Sequence, residues 1–188
     1  MTRYHKIEHA RKDYPNSGIK KGDTYYWWAF RYGGKHLSLT PPKPSQLTQS
    51  EFLGSIYGIQ ETIESLTTED DDIQSQIDDI VSELETLRDE QEEKKSNMPD
   101  SLQESPTAEL LQERYDNLDT MISGFNDINT DDWEEPDDED VKEDLGDKDD
   151  EETKEAYDER IAERKEEMRQ ERRDAILEEI QGISYEGS

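Results

Sequence analysis

Residues 23–36, DTYYWWAFRYGGKH, combine aromatic rings and positive charges, which together can bind a single strand of nucleic acid. Five of the first eight positions are aromatic, and basic residues lie on both sides. Flat rings stack on unpaired bases, while Lys and Arg pair with phosphates. The candidate nucleic-acid-binding residues are Arg11, Lys12, Lys20, Lys21, Tyr25, Trp27, Arg31 and Lys35. Two alternatives remain open: the rings form a core with solvated lysines around it, or they contact a protein.

The histidines suggest a second chemistry, which the rest of the chain does not support. HKIEH at residues 5–9 matches the H-x-x-E-H pattern of one metallopeptidase class. That site needs a long helix, a further ligand and a cleft, so a structural role for His5, Glu8 and His9 is preferred. No cysteine, phosphate-binding glycine loop or G-x-S-x-G is present. We therefore predict no enzyme, no catalytic residues, no metal site and no cofactor.

The aromatic segment reads as a strand with two aromatic faces. Thr24–Tyr32 is predicted as a strand, and Gly33-Gly34 as a two-residue hairpin turn leading to a strand over Lys35–Thr40. Side chains alternate along a strand. One face would carry Tyr26, Trp28, Phe30 and Tyr32, and the other Tyr25, Trp27, Ala29 and Arg31. A head of this size has apolar partners for about one face, so we expect the other face to be exposed or covered by a partner. If the exposed face is the one with Tyr25, Trp27 and Arg31, these residues lie among the lysines.

Charge divides the chain into a basic head and an acidic body. Residues 1–48 have nine Lys/Arg and three Asp/Glu, so the other 140 residues carry 13 positive and 48 negative charges, within a net charge of -29. Only 29% of residues are hydrophobic and 39% are charged, which predicts an elongated or multi-part molecule. No apolar run is long enough for a membrane span or signal peptide. We expect a cytoplasmic protein without membrane contact.

A heptad pattern follows the Pro-rich spacer that ends the head. Residues 49–97 are predicted as one coiled-coil helix that forms a homodimer, parallel or antiparallel, with Asp70 in its apolar seam. The predicted oligomerisation residues are Phe52, Ile56, Ile59, Ile63, Leu66, Ile73, Ile77, Ile80, Leu84 and Leu87.

Three further segments complete the chain. Residues 98–128 should form a second helix of the bundle, capped by Ser105 with Pro106 in its first turn. Residues 129–152 are predicted as a disordered acidic linker, in which Trp133 is either incidental or a partner anchor. Residues 153–188 predict a charged C-terminal helix. The fold class is therefore mainly α: a coiled coil or helical bundle with a small N-terminal head that contains a β-hairpin, α+β overall.

Residues 10–52, ARKDYPNSGIKKGDTYYWWAFRYGGKHLSLTPPKPSQLTQSEF, resemble the N-terminal segment of uncharacterised proteins encoded by tailed bacteriophages. The resemblance covers about a quarter of the chain and implies no established activity. It implies a phage accessory protein that acts in the cytoplasm of the bacterial host.

Three functions follow as hypotheses. In the first, the head binds nucleic acid, single-stranded in preference, and the acidic coiled coil oligomerises and regulates it. In the second, the acidic body imitates nucleic acid and inhibits a basic host DNA-binding or defence protein. In the third, the coiled coil has a structural or assembly role.

Overall fold

A computed structural model describes residues 2–146 and 153–187 of the chain. The chain divides into two compact units, Met1–Thr62 and Ile63–Ser188. The described residues form five α-helices and one three-stranded antiparallel sheet close to the N-terminus. The predicted fold class, mainly α with a small β-containing head, is confirmed.

The sheet forms the centre of the first unit. Its strands are β1 (Tyr4–Ile7), β2 (Tyr25–Ala29) and β3 (Lys35–Ser38), in the order β1-β2-β3. Both pairings are antiparallel, so the aromatic strand β2 lies in the middle. Helix α1 (Glu51–Ser65) begins in this unit, after a short 3-10 helix at Pro44–Leu47.

The connection between β2 and β3 is longer than the sequence predicted. Ala29 pairs with Lys35, which leaves five residues, 30–34, in the loop. Neither Gly33 nor Gly34 has a positive φ, so the predicted two-residue turn is wrong. The chain instead turns at Phe30, whose carbonyl accepts a hydrogen bond from the Gly33 amide at 3.2 Å. The ring of Phe30 packs edge-on against His36, which provides a physical reason for the wider loop.

The single long helix predicted over residues 49–97 is interrupted. Helix α1 ends at Ser65 and α2 (Ile73–Ser96) begins after a turn. Asp70 lies in that turn rather than in an apolar seam, and its carboxylate accepts a hydrogen bond from the Thr67 amide at 2.7 Å. Asp72 caps α2 by accepting from the Ser75 amide at 3.0 Å. Short polar side chains compete for backbone groups in this way, so the Thr/Asp-rich run breaks the helix although the apolar spacing continues through it.

Two helices of the second unit pack against each other within one chain. Helix α3 (Pro106–Asn126) is capped by Ser105 as predicted, and it packs along α2. Leu84 of α2 and Leu118 of α3 are fully buried. The unit continues with α4 (Asp138–Leu145) and α5 (Lys154–Gly182).

The ten predicted oligomerisation residues are all buried within a single chain. They are Phe52, Ile56, Ile59, Ile63, Leu66, Ile73, Ile77, Ile80, Leu84 and Leu87. The sequence assigned this apolar stripe to a second copy, but the chain covers it without one. A homodimer therefore stays a prediction, and it would have to use other surfaces.

The acidic segment differs from the predicted disordered linker wherever it is described. Residues 131–133 form a 3-10 helix and α4 follows, with Val141 and Pro136 fully buried. Basic residues of α5 compensate the repulsion between its carboxylates. The ion pairs are Arg164–Asp144 at 2.7 Å, Lys165–Asp138 at 3.0 Å and Arg172–Asp140 at 2.9 Å. The rest of the predicted linker, residues 147–152, lies outside the described residues.

Trp133 and Arg173 tie this segment to two other parts of the second unit. Trp133 is only 4% exposed, and its indole N–H donates to the Asp70 carbonyl at 2.9 Å. Arg173 lies over the indole ring at 4.8 Å and donates to the carbonyls of Trp133 and Thr68 at 2.9 and 2.6 Å. The proposed roles of Trp133 as an incidental or partner-binding residue are wrong, because the ring is part of the core.

Within the described residues, no helix is both long enough and apolar enough to cross a membrane.

Candidate nucleic-acid interface

The two faces of the sheet follow from the strand register. Trp27 pairs with His5 on β1 and Leu37 on β3, so these three side chains share one face. We call this the tryptophan face; it also carries Tyr25. The core under it is formed by Ala10, Ile19 and Tyr25, with Ile7, Tyr14, Trp27 and Leu37 packed against it. The face to which the sequence assigned the predicted stacking residues Tyr25 and Trp27 therefore covers the core of the head.

Tyr25 is not available to stack on a base. Its side chain is only 6% exposed, and its ring lies 5.6 Å from the ring of Tyr14. A hydrogen bond with Tyr14, together with burial, raises the pKa of the Tyr25 hydroxyl above its usual value. The prediction that Tyr25 contacts nucleic acid is wrong, because the head uses this ring for its own core.

Trp27 is half-buried and already has two neighbours on its indole. The His5 ring stacks on it with a centroid distance of 4.5 Å, and the Lys35 ammonium lies 4.0 Å from the ring centroid. A cation at that distance is attracted by the ring electrons. Trp27 thus reaches the surface, but a base would have to displace one of these groups in order to stack on it.

The opposite face of the sheet carries Tyr4, Lys6, Tyr26, Trp28 and His36. Trp28 is 5% exposed, and its ring stacks on His36 at 5.3 Å. Tyr4 and Tyr26 meet edge to face, with centroids 6.1 Å apart. Tyr4 is 46% exposed, and Lys6 is exposed next to it. On this face the side chains of the outer strand β1 are therefore exposed, while Trp28 on the central strand is buried.

Four of the predicted phosphate-binding residues lie on one loop. We define the basic loop as residues 8–24, between β1 and β2; it carries Arg11, Lys12, Lys20 and Lys21, all exposed. Backbone hydrogen bonds between Ala10 and both Asp23 and Gly22, and between Tyr14 and Ile19, fold the loop on itself. A fixed loop holds its charges in place without a further cost in ordering entropy when it binds.

Two of the three carboxylates of the basic loop accept hydrogen bonds from its backbone. Asp13 accepts from the Lys21 amide at 2.6 Å, and Asp23 accepts from the Lys20 amide at 2.8 Å. Because these carboxylates bond amides, the lysine ammonium groups carry no ion pair in the described structure. The loop therefore presents positive charge to the solvent.

Arg31 and Lys35 are also exposed, but they lie at the other end of the sheet. Arg31 belongs to the β2–β3 loop and Lys35 is the first residue of β3, whereas the basic loop enters β2 at Tyr25. A strand rises about 3.3 Å per residue, so about 13 Å of β2 separates the two groups. The predicted cations form two clusters, not one patch.

Cations in the two units differ in their pairing. Among the described residues, none of the six predicted head cations forms an ion pair, and the one paired cation of the head is Lys43, which contacts Glu61 at 3.3 Å. Among the described residues of the second unit, the cations paired with carboxylates include Arg88, Lys94, Arg164, Lys165, Arg169 and Arg172. The six predicted cations of the head are thus available to an external anion without loss of an ion pair.

The second unit presents a dense row of carboxylates. Helix α2 spans about 36 Å and carries eight exposed Asp or Glu side chains but three Lys or Arg. The hydrogen bond from Lys165 lowers the pKa of Asp138. A surface of this charge is unfavourable for a polyanion and favourable for a cationic partner.

The histidine pattern does not form the helix that a metallopeptidase needs. His5 lies on β1, and His9 lies in the following bend, where its Nδ1 is 3.4 Å from the Gly22 carbonyl oxygen. No group of three His, Cys, Asp or Glu within residues 2–146 and 153–187 could hold a metal ion.

Sequence reasoning missed the open pair of Tyr4 and Tyr26. It identified the alternation on β2 correctly but placed its candidate stacking residues, Tyr25 and Trp27, on the face that covers the core. The available signal was Tyr4 with Lys6, which places a ring and a cation on one face of β1 two residues apart. Comparison of the chain with protein-family models, with curated proteins and with solved structures finds no match.

Proposed function

We propose that the protein is a non-enzymatic accessory protein whose N-terminal head binds single-stranded nucleic acid. The unpaired cations of the head carry the proposal. Phosphate binding by Lys and Arg releases counterions and supplies most of the sequence-independent affinity. Cations already paired with carboxylates would have to break those pairs first. The head has six predicted cations without ion pairs, in a chain of 51 acidic residues.

The bacteriophage context rests on the resemblance of residues 10–52 alone.

The basic head and the acidic body have opposite expected effects on binding. The head attracts phosphates locally, whereas the body, with 48 acidic against 13 basic residues, opposes the approach of a polyanion. Regulation by the acidic body is therefore part of the proposal.

The test measures binding of a labelled single strand by two variants with matched charge. Lys20→Gln/Lys21→Gln removes two unpaired lysines of the basic loop. Lys94→Gln/Lys95→Gln removes an adjacent pair from α2 and changes the net charge equally. Fluorescence anisotropy of an oligothymidylate would be measured with the full chain over a salt series.

We expect the first variant to bind more weakly than the wild type. A plot of the logarithm of its binding constant against the logarithm of the salt concentration should be shallower, by about 0.7 for each lost phosphate contact. The α2 variant should keep the wild-type salt slope. Equal behaviour of the two variants would show that total charge, not the head, determines binding. Absence of binding by the wild-type chain at every salt concentration would reject the proposal.

The second candidate function is imitation of nucleic acid by the acidic body. The row of exposed carboxylates on α2 and the fixed acidic helix α4 favour it, because a mimic needs charges held in place. A variant with Asp78→Asn, Asp79→Asn and Glu83→Gln distinguishes the roles. A mimic should lose its affinity for a purified DNA-binding protein with a basic groove. If the acidic body instead regulates the head, the same variant should bind oligothymidylate more tightly than the wild type.

A further inference from the structure

The sheet face opposite Trp27 carries two tyrosines and a lysine that are neighbours. We define the tyrosine face as Tyr4, Lys6 and Tyr26. Lys6 pairs directly with Tyr26 across β1 and β2, and Tyr4 lies two residues before Lys6 on the same face. Side chains opposite each other in an antiparallel pair lie about 5 Å apart, so the three groups are neighbours.

The ring of Tyr4 is exposed to solvent and packs against the ring of Tyr26. It is 46% exposed, which is high for a ring on a packed sheet, while Tyr26 is half-buried. The two rings meet edge to face at 6.1 Å and an interplanar angle of 62°. This arrangement is favourable for aromatic pairs and limits the freedom of the outer ring. Tyr4 is thus held with exposed ring surface, and little entropy would be lost when a second flat group stacks on it.

Tyr4 lies opposite Trp28 at the start of β1, and β1 then runs through Lys6 to the basic loop. The loop starts one residue after Ile7, which follows Lys6, and it ends at Thr24, before Tyr25 and Tyr26. A strand that stacks a base on Tyr4 would meet Lys6 and then the unpaired cations of the loop. Trp27 lies on the other face and is already contacted by His5 and Lys35.

We propose that Tyr4 stacks on an unpaired base of a single-stranded polynucleotide, while Lys6 and the basic loop bind the neighbouring phosphates. This inference rests on the proposed function and assigns the base contact to the tyrosine face instead of the predicted Trp27. The face selects single strands because a base inside a duplex has no free surface for a ring. The charge of Lys6 and of the loop matches a phosphodiester chain, and the exposed ring matches a base.

The experiment compares two tyrosines of different location in the full chain. Tyr4→Leu removes the ring but keeps an apolar side chain. Tyr32→Leu is the matched control, because Tyr32 is 86% exposed, lies in the β2–β3 loop and does not belong to the tyrosine face. Tyr4→Phe keeps the ring and removes the hydroxyl. Binding of labelled oligothymidylate and oligouridylate would be measured by anisotropy, which also separates DNA from RNA as the source of the strand.

We expect Tyr4→Leu to weaken binding by about 5- to 150-fold, as found for loss of one base stack. Tyr4→Phe and Tyr32→Leu should bind as the wild type does. An oligomer whose bases have been removed leaves only phosphates, so Tyr4→Leu and wild type should bind it equally. Lys6→Gln should reduce the slope of log binding constant against log salt concentration by about 0.7, because one phosphate contact is lost. Tyr4→Leu should leave that slope unchanged.

Two results would overturn the inference. If Tyr4→Leu binds as tightly as the wild type while Lys20→Gln/Lys21→Gln binds weakly, the proposed function holds and the base contact is elsewhere. If Tyr4→Leu weakens binding to the abasic strand as much as to the normal one, the ring does not contact a base. Failure of the wild-type chain to bind any single strand would reject the proposed function together with this inference.

Discussion

Replacement of Arg173 by Met should release the acidic segment from the rest of the second unit. The guanidinium joins three parts of that unit: it lies on α5, donates to the carbonyls of Thr68 and Trp133, and lies over the Trp133 ring. Met has a similar length and apolar character, so it fills the space but offers neither donors nor charge. The structure pairs no carboxylate with Arg173 among the described residues, so no acidic side chain loses its partner.

The expected cost follows from the contacts that are lost. A hydrogen bond to a charged group contributes about 1.5 to 3 kcal/mol, and the side chain makes two. The cation-π contact adds about 1 kcal/mol. Relief from burying a charge offsets part of this sum, because Arg173 is only 8% exposed. We expect a net loss of about 2 to 4 kcal/mol, mostly as local opening of residues 131–146.

Hydrogen-deuterium exchange measured by mass spectrometry tests this expectation. Protection should fall in peptides that cover residues 66–72 and 131–146 and should stay unchanged in the α2–α3 pair. Arg172→Met is the control, because the neighbouring Arg172 makes exposed ion pairs with Asp140 and Asp132, which are worth at most about 1 kcal/mol together. Equal effects of the two variants would refute the reasoning, since general loss of α5 charge would then explain both.

Two further predictions concern stability. Glu61 is mostly buried, and burial by itself raises the pKa of its carboxyl group. The carboxylate accepts hydrogen bonds from the Ser45 amide at 3.2 Å and the Ser45 hydroxyl at 2.8 Å. These hydrogen bonds outweigh the effect of burial, so the pKa of Glu61 is lowered overall. Glu61→Gln should therefore cost about 1 to 3 kcal/mol near neutral pH. The difference in unfolding free energy between wild type and variant should be complete above the unfolded-state pKa of 4.5. It should disappear as the pH falls through the lowered pKa of the folded state. Denaturant melts at several pH values measure this difference, and a difference that does not change with pH would contradict the prediction. Leu84→Ala should cost about 2 to 5 kcal/mol in a urea melt, because Leu84 is fully buried where α2 packs on α3. Its midpoint should not change with protein concentration; a midpoint that rises with concentration would indicate a seam between two chains.

The candidate site was predicted in part. The cations of the head could be found from the sequence because charge depends on residue type alone, and all six are exposed. The aromatic residues could not be assigned in the same way. Alternation separates two faces of β2 but does not say which face meets a core, since Ala10 and Ile19, which lie under Tyr25, come from a loop without a periodic pattern. Tyr4 was overlooked for the same reason.

The sequence by itself determined the helical class, the two strands of the hairpin, β2 and β3, and the separation of positive from negative charge. These depend on local spacing, capping residues and residue counts, as at Ser105 before α3. Only the tertiary structure decided that the apolar stripe is covered within one chain and that the acidic segment is ordered. Both outcomes depend on contacts between residues far apart in sequence, such as Arg173 with Thr68 and Trp133 with Asp70. Repulsion within a segment can be counted from its residues, but the compensating charges of α5 act only once the chain has folded.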